Sequence, residues 1–227
     1  MVNENAGNQR NMNRTLKAIL LSAGLCSPSL CFSAIVYDNL NSPDLGRQYF
    51  PTNGPTLEFG EQITLAGTDR ILSQLTFYTF LTAPAVTTQS ATFRFYADSG
   101  TNAPVTPFYT TEAVPLTATG FHSYTIGLTT VPPVLDTFIW TVQFSNLGAG
   151  ESGGLLLYGP PAVGSSFDDF WQKDGTGAWN LMRINGGGTL ANFAVQFSAV
   201  PEPGVLALGG LGALLLAGLR RFRKSPR

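Results

Sequence analysis

Residues 138–144 read Phe-Ile-Trp-Thr-Val-Gln-Phe, and this stretch shows most clearly how the chain folds. Apolar side chains recur at every second position, at Phe138, Trp140, Val142 and Phe144. Side chains alternate between the two faces of a β-strand, so this spacing predicts a strand with one face in a core. The other face is expected to meet water, as in an antiparallel sheet with one solvated side.

The same period of two recurs along the chain. Residues 192–200, 71–81, 93–95 and 124–128 repeat it, and further strands are expected near 35–38, 61–66, 112–118, 153–158 and 179–184. Gly, Pro and Asp clusters separate these runs, and residues 34–200 show no sustained apolar spacing of a helix. About ten short strands predict an all-β domain, an antiparallel, jelly-roll-like β-sandwich, with a closed barrel as the alternative.

Charge is distributed unevenly. Residues 34–200 contain twelve acidic and five basic residues, a net charge of −7, whereas the complete chain carries only −1. The remaining basic residues are concentrated at the two ends. An acidic domain argues against nucleic acid as a partner, because phosphates require a Lys- and Arg-rich surface.

The C-terminal end has three consecutive parts. Pro201, Glu202 and Pro203 come first, followed by the uncharged run 205–219 and then by four basic residues, Arg220, Arg221, Arg223 and Lys224. Cations beside an apolar segment mark the cytoplasmic side of a membrane, so we expect a transmembrane helix with the C-terminus in the cytoplasm. Fifteen residues span only about 22 Å of a roughly 30 Å hydrocarbon core, which suits a temporary anchor.

The N-terminal end has the order of a secretory signal. Basic residues precede an uncharged stretch over 18–34, and small residues favour cleavage after Ser33. Either Met1 or Met12 is the start. Cys26 and Cys31, the two cysteines, would be removed with the signal helix, which leaves a mature chain without disulfides. The expected organisation is a signal peptide over 1–33, an extracytoplasmic β-domain over 34–200 and a sorting and anchor segment over 201–227.

The C-terminal end resembles the PEP-CTERM sorting signal of Gram-negative bacteria. The match lies in Pro201-Glu202-Pro203, the apolar run and the basic cluster, about a tenth of the chain. The resemblance implies export by the secretion machinery, anchoring in the inner membrane and processing by an exosortase-like enzyme near the Pro-Glu-Pro. It also implies a final location at the cell surface or in the extracellular matrix, often with exopolysaccharide.

The β-domain resembles the "choice-of-anchor" β-sandwich domains that precede this signal. The similar stretches are Val36–Leu40, Phe93–Asp98 with the following Ala103-Pro104, Phe138–Val142 and Trp171–Phe193. No catalytic residues are established for such domains, so the resemblance implies none here.

Three groups of residues are candidates for binding or chemistry. Trp171 and Trp179 flank a Gly/Asp loop, and exposed rings there would stack on sugars. Asp98, Asn102 and Asp174 lie in oxygen-rich loops that suit calcium, although Asp, Asn and Gly are also ordinary turn formers. Two carboxylate pairs, Glu58 with Glu61 and Asp168 with Asp169, are the candidates for glycoside hydrolysis.

A non-enzymatic function is the preferred interpretation. Gly150-Glu-Ser-Gly-Gly154 fits the pattern of a nucleophile elbow, but the apolar run that follows it predicts a strand where a helix is needed. The only histidine, His122, has no histidine or thiolate partner for zinc in the mature chain. We therefore expect a surface or matrix protein without a resident cofactor, calcium excepted. A secreted glycan-active enzyme and a purely structural coat protein are the alternatives.

Overall fold

The computed structural model describes residues 33–51, 57–82, 89–98 and 103–201, together with Gly212. The expected signal helix and transmembrane helix lie outside these residues, apart from Ser33, Pro201 and Gly212. Among the described residues, no helix has the length and apolar character needed to cross a membrane.

Fifteen strands and one short 3-10 helix make up the regular structure of these residues. The strands are β1 (Ala34–Asp38), β2 (Asp44–Tyr49), β3 (Phe59–Thr64), β4 (Ile71–Leu81), β5 (Ser90–Ala97), β6 (Pro107–Thr110), β7 (Val114–Pro115), β8 (Gly120–Gly127), β9 (Thr137–Ser145), β10 (Gly153–Tyr158), β11 (Ser165–Ser166), β12 (Phe170–Lys173), β13 (Trp179–Met182), β14 (Asn192–Phe193) and β15 (Val195–Val200). The 3-10 helix spans Asn185–Gly187.

The strands form two antiparallel sheets, which confirms the all-β prediction. In the seven-stranded sheet the order is β1-β15-β4-β10-β14, with β2 on β10 and β8 on β4. In the eight-stranded sheet the order is β13-β12-β3-β9-β5-β6, with β11 on β3 and β7 on β5. The two sheets pack face to face as a β-sandwich, so the alternative of a closed barrel is wrong.

Aromatic rings fill the space between the sheets. Phe77 of the first sheet lies 4.6 Å from Phe93 of the second, between ring centroids, and Phe197 lies 5.7 Å from Phe95. The face predicted for residues 138–144 is confirmed, because Phe138, Trp140, Val142 and Phe144 are all fully buried. Burial of this apolar surface is the main force that holds the sheets together.

The opposite face of β9 differs from the prediction. Ile139 and Thr141 were expected to meet water, yet both are fully buried. Ile139 belongs to a small second cluster with Tyr96 and Trp171 on the outer side of the eight-stranded sheet. This sheet is therefore covered on both faces near β9, and its outer cover forms one wall of the groove described next.

Candidate binding groove

A groove of about 380 Å³ lies on the outer face of the eight-stranded sheet. The sheet side is formed by Glu58 and by alternate residues of β5 and β9, and the other side is the loop between β12 and β13. The lining residues are Leu57, Glu58, Arg94, Gln143, Lys173, Asp174, Gly175, Thr176 and Gly177. The groove is thus lined mainly by groups that donate or accept hydrogen bonds.

Glu58 lies at the bottom of the groove and is 3% exposed. Its Oε1 accepts hydrogen bonds of 2.6 Å from both the Tyr96 hydroxyl and the Thr141 hydroxyl. Its Oε2 accepts one of 2.7 Å from Lys173 Nζ. Burial alone would raise the pKa of Glu58, but the donations from Lys173, Thr141 and Tyr96 and the charge of Arg94 outweigh it and lower that pKa. Glu58 is therefore an ionised anchor.

Two of the five cationic side chains of residues 34–200 converge on this carboxylate. Arg94 Nη1 lies 3.3 Å from Glu58 Oε2, an ion pair without the alignment of a hydrogen bond. The Arg94 side chain is 24% exposed and that of Lys173 is 31% exposed, so both keep access to solvent. With Asp174 on the opposite wall, the groove carries no net charge within a strongly acidic domain.

The β12–β13 hairpin leans over the outer face of its sheet. In the strand order, β13 is four positions from β5, which is about 19 Å in a flat sheet. Yet the ring of Trp179 on β13 lies only 5.8 Å from that of Tyr96 on β5. Because the hairpin bends over the sheet in this way, its loop faces Arg94 and Gln143.

The two tryptophans predicted to stack on sugars have different surroundings. Trp171 is only 7% exposed and packs on Tyr96 and Ile139, so the expectation that it would be exposed is wrong. Its ring has room because its neighbour in the register is Gly60, which has no side chain. Trp179 is half-buried, and Lys173 Nζ lies 4.7 Å from its ring centroid, a cation–π contact at the groove.

The loop at the tip of the hairpin is held by Asp174. Its Oδ1 accepts hydrogen bonds from the Thr176 hydroxyl at 2.6 Å, the Thr176 amide at 2.9 Å and the Ala178 amide at 3.0 Å. The Thr176 hydroxyl is the largest cause that lowers the pKa of Asp174 to about 2. Gly177 adopts a φ of +87°, a conformation that favours glycine. Asp174 thus has the ordinary role of a turn former.

The two loops predicted to suit calcium are described in part, through Asp98 and Asp174. Asp98 accepts a hydrogen bond of 3.0 Å from Gln62 and lines a different depression, with Leu135 and Asp136. Asn102 lies outside the described residues. Within the part of the chain that the structure describes, no group of three or more His, Cys, Asp or Glu side chains could hold a metal ion.

The candidate carboxylate pairs are also separated or exposed. Glu61 is fully buried between the sheets, while Glu58, directly before β3, bonds to Tyr96 and Thr141 on the outer face, so the two carboxylates do not face each other. Asp168 is exposed in a bend, and Asp169 Oδ2 lies 3.7 Å from Arg183 Nε. In the groove itself, the carboxylates are Glu58 and Asp174.

Several groove residues were not singled out by the sequence reasoning. Arg94, Gln143 and Thr141 occupy the alternate positions that the period-two pattern assigns to solvent, where polar side chains are common. One signal was available: only five basic residues occur in 34–200, and Arg94 lies between Phe93 and Phe95 in a predicted strand. A cation is seldom placed in such a strand without a partner, so Arg94 pointed to a nearby carboxylate.

The sorting residues lie at the limit of the described chain. Pro201 is exposed directly after β15, whereas Glu202, Pro203, Arg220, Arg221, Arg223 and Lys224 lie outside the described residues. Strand β1 begins at Ala34, the residue after the expected cleavage site, and Ala34 pairs with Ala199. The positions at which the two terminal segments join the sandwich are therefore neighbours.

No protein-family model, curated protein or solved structure matches this chain.

Proposed function

We propose that this chain is an exported, non-enzymatic protein of the cell surface or extracellular matrix that associates with exopolysaccharide through the groove beside Trp179. Its C-terminal segment, which resembles a PEP-CTERM signal, would anchor it in the inner membrane until an exosortase-like enzyme processes it. The observation that carries the binding proposal is a neutral groove in an acidic domain, lined by hydrogen-bonding side chains next to a partly exposed indole ring.

The sandwich is proposed to be a jelly roll. Counted from the two ends of the described strands inwards, β1 pairs with β15, β2 with β10, β3 with β9, β4 with β8 and β5 with β6. Pairing of the first strand with the last, and so on inwards, is the connection expected of a long hairpin wrapped into two sheets. Strands β11 to β14 are then an insertion between β10 and the last strand, and the β12–β13 hairpin of this insertion supplies the groove's outer wall.

The chemistry of the groove suits a sugar chain. Arg94 and Lys173 carry donors, Gln143 and Thr176 carry both donors and acceptors, and the half-buried ring of Trp179 lies beside the groove, in contact with Lys173. The volume of about 380 Å³ is within the roughly 300–1,000 Å³ typical of small-molecule sites. Because opposite charges balance in the groove, neutral sugars can enter without an unpaired charge being buried.

A glycan-active enzyme is the alternative function. Hydrolysis of a glycosidic bond requires a general acid with a raised pKa beside a second carboxylate. The pKa values of both groove carboxylates, Glu58 and Asp174, are lowered instead. This favours binding over hydrolysis, and a release of reducing sugars that disappears in Glu58→Gln would reverse the preference.

Binding is tested with the exported protein purified from an expressing Gram-negative host and with that host's exopolysaccharide on a solid support. We expect retention of the wild type and at least ten-fold weaker retention of Arg94→Gln. Arg47→Gln is the matched control, because it removes the same charge from the edge of the other sheet. Equal retention of both variants, or none of the wild type, would contradict the groove as a polysaccharide site.

Export and processing are tested separately by mass spectrometry of the mature protein. We expect an N-terminus at Ala34 and a C-terminus close to Pro201. An unprocessed chain found in the cytosolic fraction would overturn the proposed location while leaving the binding experiment unaffected.

A further inference from the structure

Strand β8 is an edge of the seven-stranded sheet without the usual protection against pairing. It covers eight residues, Gly120–Gly127, and contains no Asp, Glu, Lys, Arg or Pro. All eight pair with β4 in one unbroken register, and no other strand of the described residues pairs with β8. Its outer side therefore presents a straight row of backbone donors and acceptors to solvent.

The other edges of the sandwich carry the devices that natural proteins use to prevent such pairing. On the far side of the same sheet, β1 is bulged between Ile35 and Tyr37 and ends with Asp38, and β2 is bulged between Asp44 and Arg47. In the other sheet, β6 begins with Pro107 and β7 ends with Pro115, while β13 has only four residues. Charges, bulges, prolines and short length each block strand addition, so β8 stands out as the edge that is open to it.

We propose that β8 docks against the β8 of a second copy of this chain, antiparallel and around a two-fold axis, so that the seven-stranded sheet continues across a dimer. An exposed sheet edge is recognised by an added strand through main-chain hydrogen bonds. In a two-fold arrangement, the strand of one copy pairs with the same strand of the other copy. The side chains that face each other across the pair must therefore fit together.

The sequence of β8 meets this condition. In a register centred on Ser123, each Phe121 faces Thr125 of the other copy, which is a favourable aromatic and β-branched pair. His122 faces Tyr124 on the other side of the strand. No like charges meet, which matters because two copies that each carry −7 over residues 34–200 repel one another elsewhere.

Burial of the exposed Phe121 ring would also favour this contact. Its side chain is 61% exposed, and its ring lies 4.6 Å from that of Phe80 on the same outer face. Phe50 continues this row of rings, 6.0 Å from Phe80. A second copy at β8 would cover the exposed end of the row. The groove is in the other sheet, so this inference does not depend on the proposed function.

The test is the oligomeric state of the exported protein, measured by light scattering and sedimentation over a range of concentrations. Wild type is expected to form dimers, and Thr125→Lys to weaken self-association at least ten-fold, because it places a charge at an exposed position of the interface. Thr110→Lys is the matched control: Thr110 is also exposed on an edge strand, β6, but of the other sheet. All variants have the same two chain ends, so any association through those ends is common to them.

Hydrogen exchange gives a second measurement that needs no variant. Amides of β8 are expected to become protected as the protein concentration rises. A protein that stays monomeric, or a dimer that Thr125→Lys and Thr110→Lys weaken equally, would overturn the proposal. Protection of β8 that appears only when another host protein is added would assign the edge to a foreign strand and likewise overturn the second copy as its occupant.

Discussion

The surroundings of Glu61 follow from its position in β3. It lies on the inner face of β3 with Phe59 and Ile63, and it is fully buried between the sheets. Its partners are the Tyr37 hydroxyl at 3.3 Å and the Phe193 amide at 3.4 Å. These long hydrogen bonds do not compensate for the loss of water, so burial raises the pKa of Glu61 well above its usual range.

Stability is expected to depend on the protonation of this carboxyl. The folded state binds this proton more tightly than the unfolded state does. Protonation of Glu61 therefore stabilises the fold fully below the unfolded pKa of about 4.3, and this stabilisation is lost as pH rises to the folded pKa. In that window the free energy of unfolding falls by up to about 1.4 kcal/mol per pH unit. Glu61→Gln should remove this pH-dependent loss of stability. Measured by urea unfolding, its free energy of unfolding should exceed that of the wild type by an amount that increases from pH 4.5 to pH 8.

The control for this measurement is Glu112→Gln, which makes the same charge change at an exposed position. If both variants flatten the pH profile equally, the buried carboxyl is not its source. A Glu61→Gln protein that loses stability at every pH would show instead that the carboxylate is needed in its charged form.

Substitution of Trp171 is expected to affect mainly stability, and substitution of Trp179 mainly binding. Trp171→Ala removes a buried ring and should lower the free energy of unfolding by about 3–5 kcal/mol. Trp179→Ala removes a half-buried ring and should cost less stability but weaken polysaccharide retention several-fold. Urea unfolding and retention on the immobilised polysaccharide check the two effects. Equal loss of stability in both variants would contradict the difference in burial.

Period-two patterns predict which face a residue occupies but not what lies beyond that face. The pattern identified Phe138, Trp140, Val142 and Phe144 as core, and it also places Glu61 beside Phe59 and Ile63. It could not foresee that Trp171 is covered, because that depends on the hairpin bending over Gly60. The groove is a product of the same bend, whereas the pairing of β12 with β3 places Lys173 beside Glu58, 115 residues away in the sequence.

Gly60 is the point of closest approach within the eight-stranded sheet. A Cβ built there would lie 2.0 Å from the Trp140 carbonyl oxygen and 2.5 Å from Thr141 Cα, both backbone atoms. Such atoms cannot move without displacing β9, which is the central strand of that sheet. The glycine is therefore required by the close packing of β3 on β9.

Alanine substitutions at two strand glycines test this requirement. Gly60→Ala should destabilise the protein by more than about 3 kcal/mol, the level reached by severe packing changes. Gly127→Ala in β8 is the matched control, because a Cβ there meets nothing within 4 Å. Its effect should stay within about 1 kcal/mol of the wild type, in either direction. The midpoints of urea unfolding report both values, and similar midpoints for the two variants would refute the close approach.

The sequence predicted well the strands with a strong apolar pattern, which alternates in β4 and is continuous in β10. The bounds of β4 and β10 match the predicted 71–81 and 153–158. Strands β2 and β12 were missed for different reasons. Asp-Leu-Gly-Arg-Gln-Tyr in β2 has no alternation because the strand is largely exposed, and β12 has only four residues, too few for a period to appear. The predicted strand over 112–118 shrinks to Val114–Pro115, since a proline cannot donate to the ladder.

The closing of the sandwich depends on its first and last strands. β1 pairs with β15, and its register joins Ala34 to Ala199 at opposite ends of the domain sequence. Val36 and Tyr37 place buried side chains in the core, where the ring of Tyr37 lies 6.4 Å from that of Phe197. The first and last of the described strands are therefore neighbours in the sheet, although the sequence offered no sign that these two strands meet.

The last prediction concerns two fragments that differ only in whether they contain strand β1. Fragment 34–200 contains every described strand and the complete core, so it should unfold cooperatively with a Tm close to that of the exported protein. Fragment 39–200 lacks β1 and so loses two buried apolar side chains, Val36 and Tyr37, each contributing about 1.5–3 kcal/mol, as well as the cover of β15. Its Tm should be lower by roughly 10–20 °C, as expected from about 2–4 °C per kcal/mol for a domain of this size. Calorimetry of the two fragments measures the difference.

Equal Tm values would mean that the pairing of β1 with β15 does not stabilise the sandwich. Failure of 34–200 to fold would place an essential part of the domain outside the described strands.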